Sequence, residues 1–244
     1  GGRFRALARV FEAHGQQALC FNYDDRASID AAADRFVAAL RRLQARLPAG
    51  RITVLAHSQG GLVARRAFIR ERTDPLRGDG FTYRLLTVSS PFRGIDASAD
   101  CGKAWLHGVS LGLTVVVCYG ISGDKWNEIH PRAGIVKHPG TLVDAVEEHV
   151  RLATDERGTC RRTRDNGTCA EDDYVFSVDE QVTPRIDADP RVVPVEVAAG
   201  HVEIVGTEGV APDKLLALLQ ARGILASTPP DKRDAIARLL RDLY

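Results

Sequence analysis

Residues 52–70 join a short apolar run, Ile52-Thr53-Val54-Leu55-Ala56, to His57-Ser58-Gln59-Gly60-Gly61 and then to an amphipathic helical stretch. No other segment limits the fold so tightly. A serine held between a strand and a helix sits on a turn so sharp that the residues two positions away carry almost no side chain, which accounts for Ala56 and Gly60. Gly61 lets the helix start close against the strand. The turn presents the Ser58 hydroxyl at the top of a sheet and leaves the Gln59 amide N–H at a helix N-terminus, where a developing oxyanion would meet it. Backbone strain of this kind is kept where function repays it. The plainer alternative is an ordinary βα loop in which Ser58 only caps the helix.

The surrounding pattern is that of an α/β chain. Phe4 to Glu12 has helical apolar spacing and stops at His14-Gly15; Gln17 to Tyr23 reads as a strand; a long helix follows from Ser28, a suitable N-cap, with Ile29, Phe36, Leu40 and Leu43 on one face. After the serine turn and its helix, Tyr83 to Val88 is a further strand. Tyr174 to Val178 and Val192 to Val197 are read as strands, followed by a helix from Pro212 to Gly223 and a last one over Asp231 to Leu243. Alternation of this kind predicts a mostly parallel sheet with helices on both faces, in a single domain over residues 1–244. Residues 95–171 break the rhythm, with many glycines and four of the five cysteines, and are read as a cap or lid-like insertion.

Composition excludes some function classes. With 33 basic against 32 acidic side chains, net charge +1, nothing favours nucleic acid or an anionic membrane surface. Ala104 to Ile121 has about the length of a membrane span, but His107, Thr114 and several glycines and serines interrupt it, so a lipophilic cap over a cleft is the expectation. Methionine is absent even at position 1, which suggests a processed chain or a piece of a longer one. Among the cysteines, Cys160 and Cys169 flank an Asn166-Gly167 turn that would bring their sulfurs together, Cys101 and Cys118 could pair across the apolar stretch, and Cys20 reads as a buried free thiol. Disulfides point to an extracytoplasmic or secreted protein, with a cytoplasmic location as the alternative. No zinc spacing, phosphate loop or dinucleotide fingerprint is present, so neither a metal nor a cofactor is expected.

A serine hydroxyl needs a base to take its proton, and the base needs an acid to orient it. In a parallel sheet both should lie just past the carboxyl ends of strands. Asp179 follows the run Tyr174 to Val178, with Glu180 and Asp187 as alternatives, and His201 follows Val195-Glu196-Val197 after Gly200. His201 is preferred to His130, His138 and His149, and His57 is read as a supporting residue beside the serine.

These residues resemble the α/β-hydrolases. Ala56-His57-Ser58-Gln59-Gly60 is similar to the pentapeptide of small bacterial lipases, and Ser89-Ser90-Pro91-Phe92-Arg93-Gly94 resembles a Ser-Pro-x-x-Gly segment of lipase-like members. The likeness spans positions 1–94 and 172–223. It implies Ser58 as nucleophile, Asp179 as acid, His201 as base and Gln59 as one oxyanion donor, in a serine esterase or lipase acting through an acyl-enzyme. Family members also carry, before the helix that here starts near Phe4, a central strand ending in His-Gly and a second oxyanion N–H. The chain opens at Gly1-Gly2, and the expectation is that this strand is lacking, which leaves an open edge beside the strand leading to Ser58. Thr114 to Val117 could otherwise fill the slot.

Trp105, Leu106, Leu111 and Trp126 supply apolar surface for an acyl chain, or else the small core of a folded cap. The expected partner is a small-molecule or lipid ester, with contact at a lipid interface; the oligomeric state is not legible. An acyltransferase or thioesterase using the same acyl-enzyme, or a binding module on a degenerate hydrolase fold, are the alternatives.

Overall fold

A computed structural model describes residues 2–96, 126–164 and 166–244. Two compact units are present, one comprising Tyr23–Ala153 with Phe176–Glu196, the other the chain up to Asn22 with Thr154–Val175 and Val197–Tyr244.

Among the described residues the sheet has four strands in the order β1-β2-β3-β6, where β1 is Gly50–His57, β2 Phe81–Val88, β3 Val146–Asp155 and β6 Val192–Ala198. β1 pairs with β2 and β2 with β3 in parallel, so that Ala56 faces Thr87 and Leu85 faces His149. Helices flank it. Helix α1 covers Gly2–Ala13, α2 Ile29–Gln44 and α3 Gln59–Ala67. α2 starts where expected, with the Ser28 hydroxyl accepting from Ala31 N–H at 3.0 Å, and it buries Ile29, Ala32, Ala33, Val37 and Leu40. These pack with Leu62, Val63, Ala64, Ala67 and Phe68 from α3 and its end and with Tyr83 and Leu85 from β2, in one continuous core. Phe68 anchors that core, its ring 4.8 Å from Tyr83 and 6.4 Å, edge-on, from Phe36. Burying each such side chain contributes about 1.5–3 kcal/mol, which fixes α3 and hence the turn before it.

Some expectations fail here. Gln17 to Tyr23 forms no strand; it is irregular, Leu19 is 77% exposed and Cys20 is an exposed free thiol, because no described strand offers the segment a ladder. Tyr174 to Val178 is not a strand either. Tyr174 and Val175 are exposed, and Ser177 instead caps the one-turn helix Val178–Gln181 (α4), in a capping box with Glu180. The third neighbour of the sheet is β3, inside the stretch read as an insertion. β1 is an outer strand of the described sheet, and Thr114 to Val117 lie outside the described residues.

The second unit contains the hairpin of β4, Cys160–Thr163, and β5, Cys169–Asp172, which pair antiparallel. The Asn166-Gly167 turn brings Cys160 and Cys169 into the expected disulfide, their Cα atoms 5.7 Å apart. Cys101 and Cys118 lie outside the described residues. No described helix is long and apolar enough to cross a membrane.

Candidate active site

Ser58 is the single residue between the end of β1 and the start of α3. Its backbone lies at φ 56°, ψ −134°, a region that non-glycine residues avoid, and its N–H donates to Val88 O at 2.8 Å, which ties the turn to the end of β2. The side chain does not cap the helix, which removes the plainer reading of this serine. Ser58 is partly exposed, and Gln59, as the first residue of α3, has an N–H that the helix itself cannot satisfy. The Gln59 side-chain Nε2 is buried and has no hydrogen-bond partner among the described residues.

The small residues around Ser58 have separable roles. A Cβ on Gly61 would lie 2.7 Å from Ser90 Cβ and closer still to its hydroxyl, so the absence of a side chain there is what lets α3 sit on the residues after β2. At Gly60 the added carbon would be 3.9 Å from Ala56 Cβ and 3.7 Å from the Tyr23 hydroxyl, ordinary contacts. Tyr23, unmarked in the sequence reading, therefore stands over the turn. Burial, reinforced by Asp25, pushes its phenol up to about 12, so it remains a neutral donor at physiological pH. His57 is the last residue of β1, opposite Val88. Ser89 also has positive φ, 46°, but it is fully buried.

His201 lies in the other unit, in the turn after β6, and is 7% exposed. Its Nδ1 is 3.0 Å from Glu156 Oε1. Glu156 is buried and accepts from the Thr154 hydroxyl at Oε1, 2.9 Å, and from Val175 N–H at Oε2, 2.6 Å. A buried charge is tolerated only when it is paired and hydrogen-bonded in this way. A carboxylate on one ring nitrogen fixes the tautomer. The sequence reading put this acid at Asp179. In the structure the carboxylate on His201 is that of Glu156, while Asp179 is exposed on α4. Glu156 follows β3 directly, whereas Tyr174 to Val178 is no strand.

Trp105, Leu106 and Leu111 lie outside the described residues, as does the side chain of Trp126, whose backbone opens the short helix Trp126–Ile129. Among the described residues no group of three or more His, Cys, Asp or Glu side chains is arranged to hold a metal ion.

The fold has a counterpart among solved structures. The mature form of Bacillus licheniformis lipase BlEst2 superposes with a TM-score of 0.52 at 12% identity, over 83% of this chain and 77% of that one. The chain has the α/β-hydrolase fold. A protein of Lactobacillus plantarum WCFS1, provisionally assigned as a cell surface hydrolase, gives a TM-score of 0.41 at 19% identity, over 89% of this chain and 71% of the other. No protein-family model and no curated protein matches the chain.

Proposed function

We propose that this α/β-hydrolase-fold protein is a serine hydrolase of carboxylic esters, with Ser58 as nucleophile, His201 as base and Glu156, rather than Asp179, as the acid. The observation that carries the reading is the backbone of Ser58: a partly exposed serine held at φ 56° between a strand and a helix, its hydroxyl not spent on capping. The His201–Glu156 pair supports the base assignment. In the proposed cycle Ser58 Oγ attacks the ester carbonyl while His201 Nε2 takes its proton. The Gln59 N–H stabilises the oxyanion, and His201 returns the proton to the departing alcohol. The acyl-enzyme is then cleaved by a water that His201 deprotonates. Glu156 stays ionised throughout and stabilises the imidazolium.

The substrate proposed is a small-molecule or lipid ester, with the apolar stretch around Trp105, Leu106, Leu111 and Trp126 contacting the acyl chain. The Cys160–Cys169 disulfide supports an extracytoplasmic compartment. A fluorophosphonate probe tests the nucleophile: the protein should label, Ser58→Ala should abolish labelling, and Ser89→Ala should retain it. Absence of labelling in the wild type would leave a binding module on a hydrolase scaffold. Turnover of p-nitrophenyl esters should extend from acetate to medium chains, and acetate-only turnover would remove the lipid ester. Added alcohol distinguishes hydrolysis from acyl transfer by the product formed.

A further inference from the structure

His201 is held at both ends by one short stretch of chain. Glu156 takes its side chain. Its backbone is taken by Asp173, whose carbonyl oxygen accepts the His201 N–H at 3.0 Å. The Asp173 carboxylate, buried with only 1% of its side chain exposed, accepts the next two N–H groups, those of Val202 at 3.0 Å and Glu203 at 2.9 Å. These amides open the 3₁₀ turn Glu203–Val205, where no intrahelical acceptor reaches them. Gly200 is shaped by the same group: a Cβ there would lie 2.7 Å from Asp173 Cγ, so the glycine before the histidine is the imprint of this carboxylate. The charge is balanced by Arg161, whose Nε and Nη2 each lie 3.2 Å from Oδ1, while its Nη1 reaches Glu171 at 3.1 Å. Arg161 stands on β4, next to Cys160 of the disulfide that closes the hairpin.

We propose that Asp173 is the positioning residue of the His201 turn, held in place by the disulfide-closed β4–β5 hairpin through Arg161. The inference rests on the reading of His201 as the base. An imidazole displaced by about 1 Å loses about 10²-fold in rate, and Asp173 removes that freedom by holding three successive N–H groups with a single residue, while Glu156 fixes the ring. Because it touches no reacting atom, its loss should act on the chemical step and leave substrate capture alone.

The test uses the whole chain with Asp173→Ala, Asp173→Asn and Arg161→Gln, assayed on p-nitrophenyl butyrate beside amide hydrogen exchange at Val202 and Glu203. Expected are a fall in kcat of about 10²-fold for Asp173→Ala and about 10-fold for Asp173→Asn, which keeps one oxygen acceptor, with KM unchanged within about twofold. Arg161→Gln should cost about threefold. Exchange at the two amides should rise at least tenfold in Asp173→Ala. If Asp173→Ala does not fold, the Asn variant decides. A folded variant with wild-type kcat, or losses in kcat that only track the folded fraction, would overturn the proposal. A wild type that is inactive and unlabelled by fluorophosphonate, yet shows the Asp173-dependent exchange, would overturn the hydrolase reading instead and leave Asp173 as a turn-holding residue without a base to position.

Discussion

Acidification should destabilise this protein through one histidine at the centre of the sheet. His149 is 0% exposed on β3; its Nε2 is 2.9 Å from the Thr87 hydroxyl and its ring meets Phe92 edge-on at 5.9 Å. Burial pushes its imidazole down from 6.5 to about 3, and the neighbouring charges of Arg65 and Arg151 push in the same direction. The folded protein therefore keeps His149 neutral where the unfolded chain would protonate it. Stability from this group is complete above pH 6.5 and is lost as pH falls toward 3, because over that window only the unfolded state binds the proton. The slope is about 1.4 kcal/mol per pH unit, so bringing the protein from pH 6.5 to 5 should cost about 2 kcal/mol from His149 alone. Urea unfolding at pH 7 and pH 5 measures it, with His149→Gln as the reference whose amide cannot titrate and in which the contributions of the carboxylates and other histidines cancel. The wild type should lose about 2 kcal/mol more than the variant between the two pH values. Parallel losses would refute the reasoning.

Other perturbations probe the site and its supports. Gly61→Ala should lower the yield of folded protein or, in what folds, cut fluorophosphonate labelling at least tenfold, since the added carbon collides with Ser90; wild-type labelling would contradict the close approach. Glu156→Gln should reduce kcat by about 10²–10⁴-fold with Asp179→Asn near wild type, and the reverse order in an ester hydrolysis assay would restore Asp179 as the acid. Removing the nine-residue link with Cys160→Ser and Cys169→Ser together should cost about 2–3 kcal/mol in chemical denaturation if loop closure entropy governs it.

Local rules worked where the physics is local. The serine turn, the Ser28 cap, the strands at β1, β2 and β6 and the Cys160–Cys169 hairpin all follow from neighbouring residues: apolar runs, glycines where backbones approach, an Asn-Gly turn. β3 was missed because its polar residues mask it. Glu147, Glu148, His149 and Arg151 interrupt its apolar residues, yet Arg84 bonds Glu148 at 2.6 Å, Arg151 bonds Asp187 at 2.7 Å and Thr87 bonds His149, so most of the strand is buried, with polar side chains that pair with partners far along the chain. A periodicity argument cannot see such pairs. Tyr174 to Val178 shows the converse, since its β-branched and aromatic residues look like a strand but have no ladder to join.

What the amino-acid order determined by itself was the serine turn: the strain at Ser58 is set by residues 56–61, each within a few positions of the others, so the turn can be read from a single window. What only the tertiary structure decided was the setting of His201. Which carboxylate meets His201 depends on bringing residues 156 and 201 together across 45 positions, and sequence alone pointed to Asp179, with Glu180 and Asp187 as alternatives. The choice fell to Glu156 because β3 delivers it, buried, to where Thr154 and Val175 donate to it, and the exposed Asp179 has no such setting.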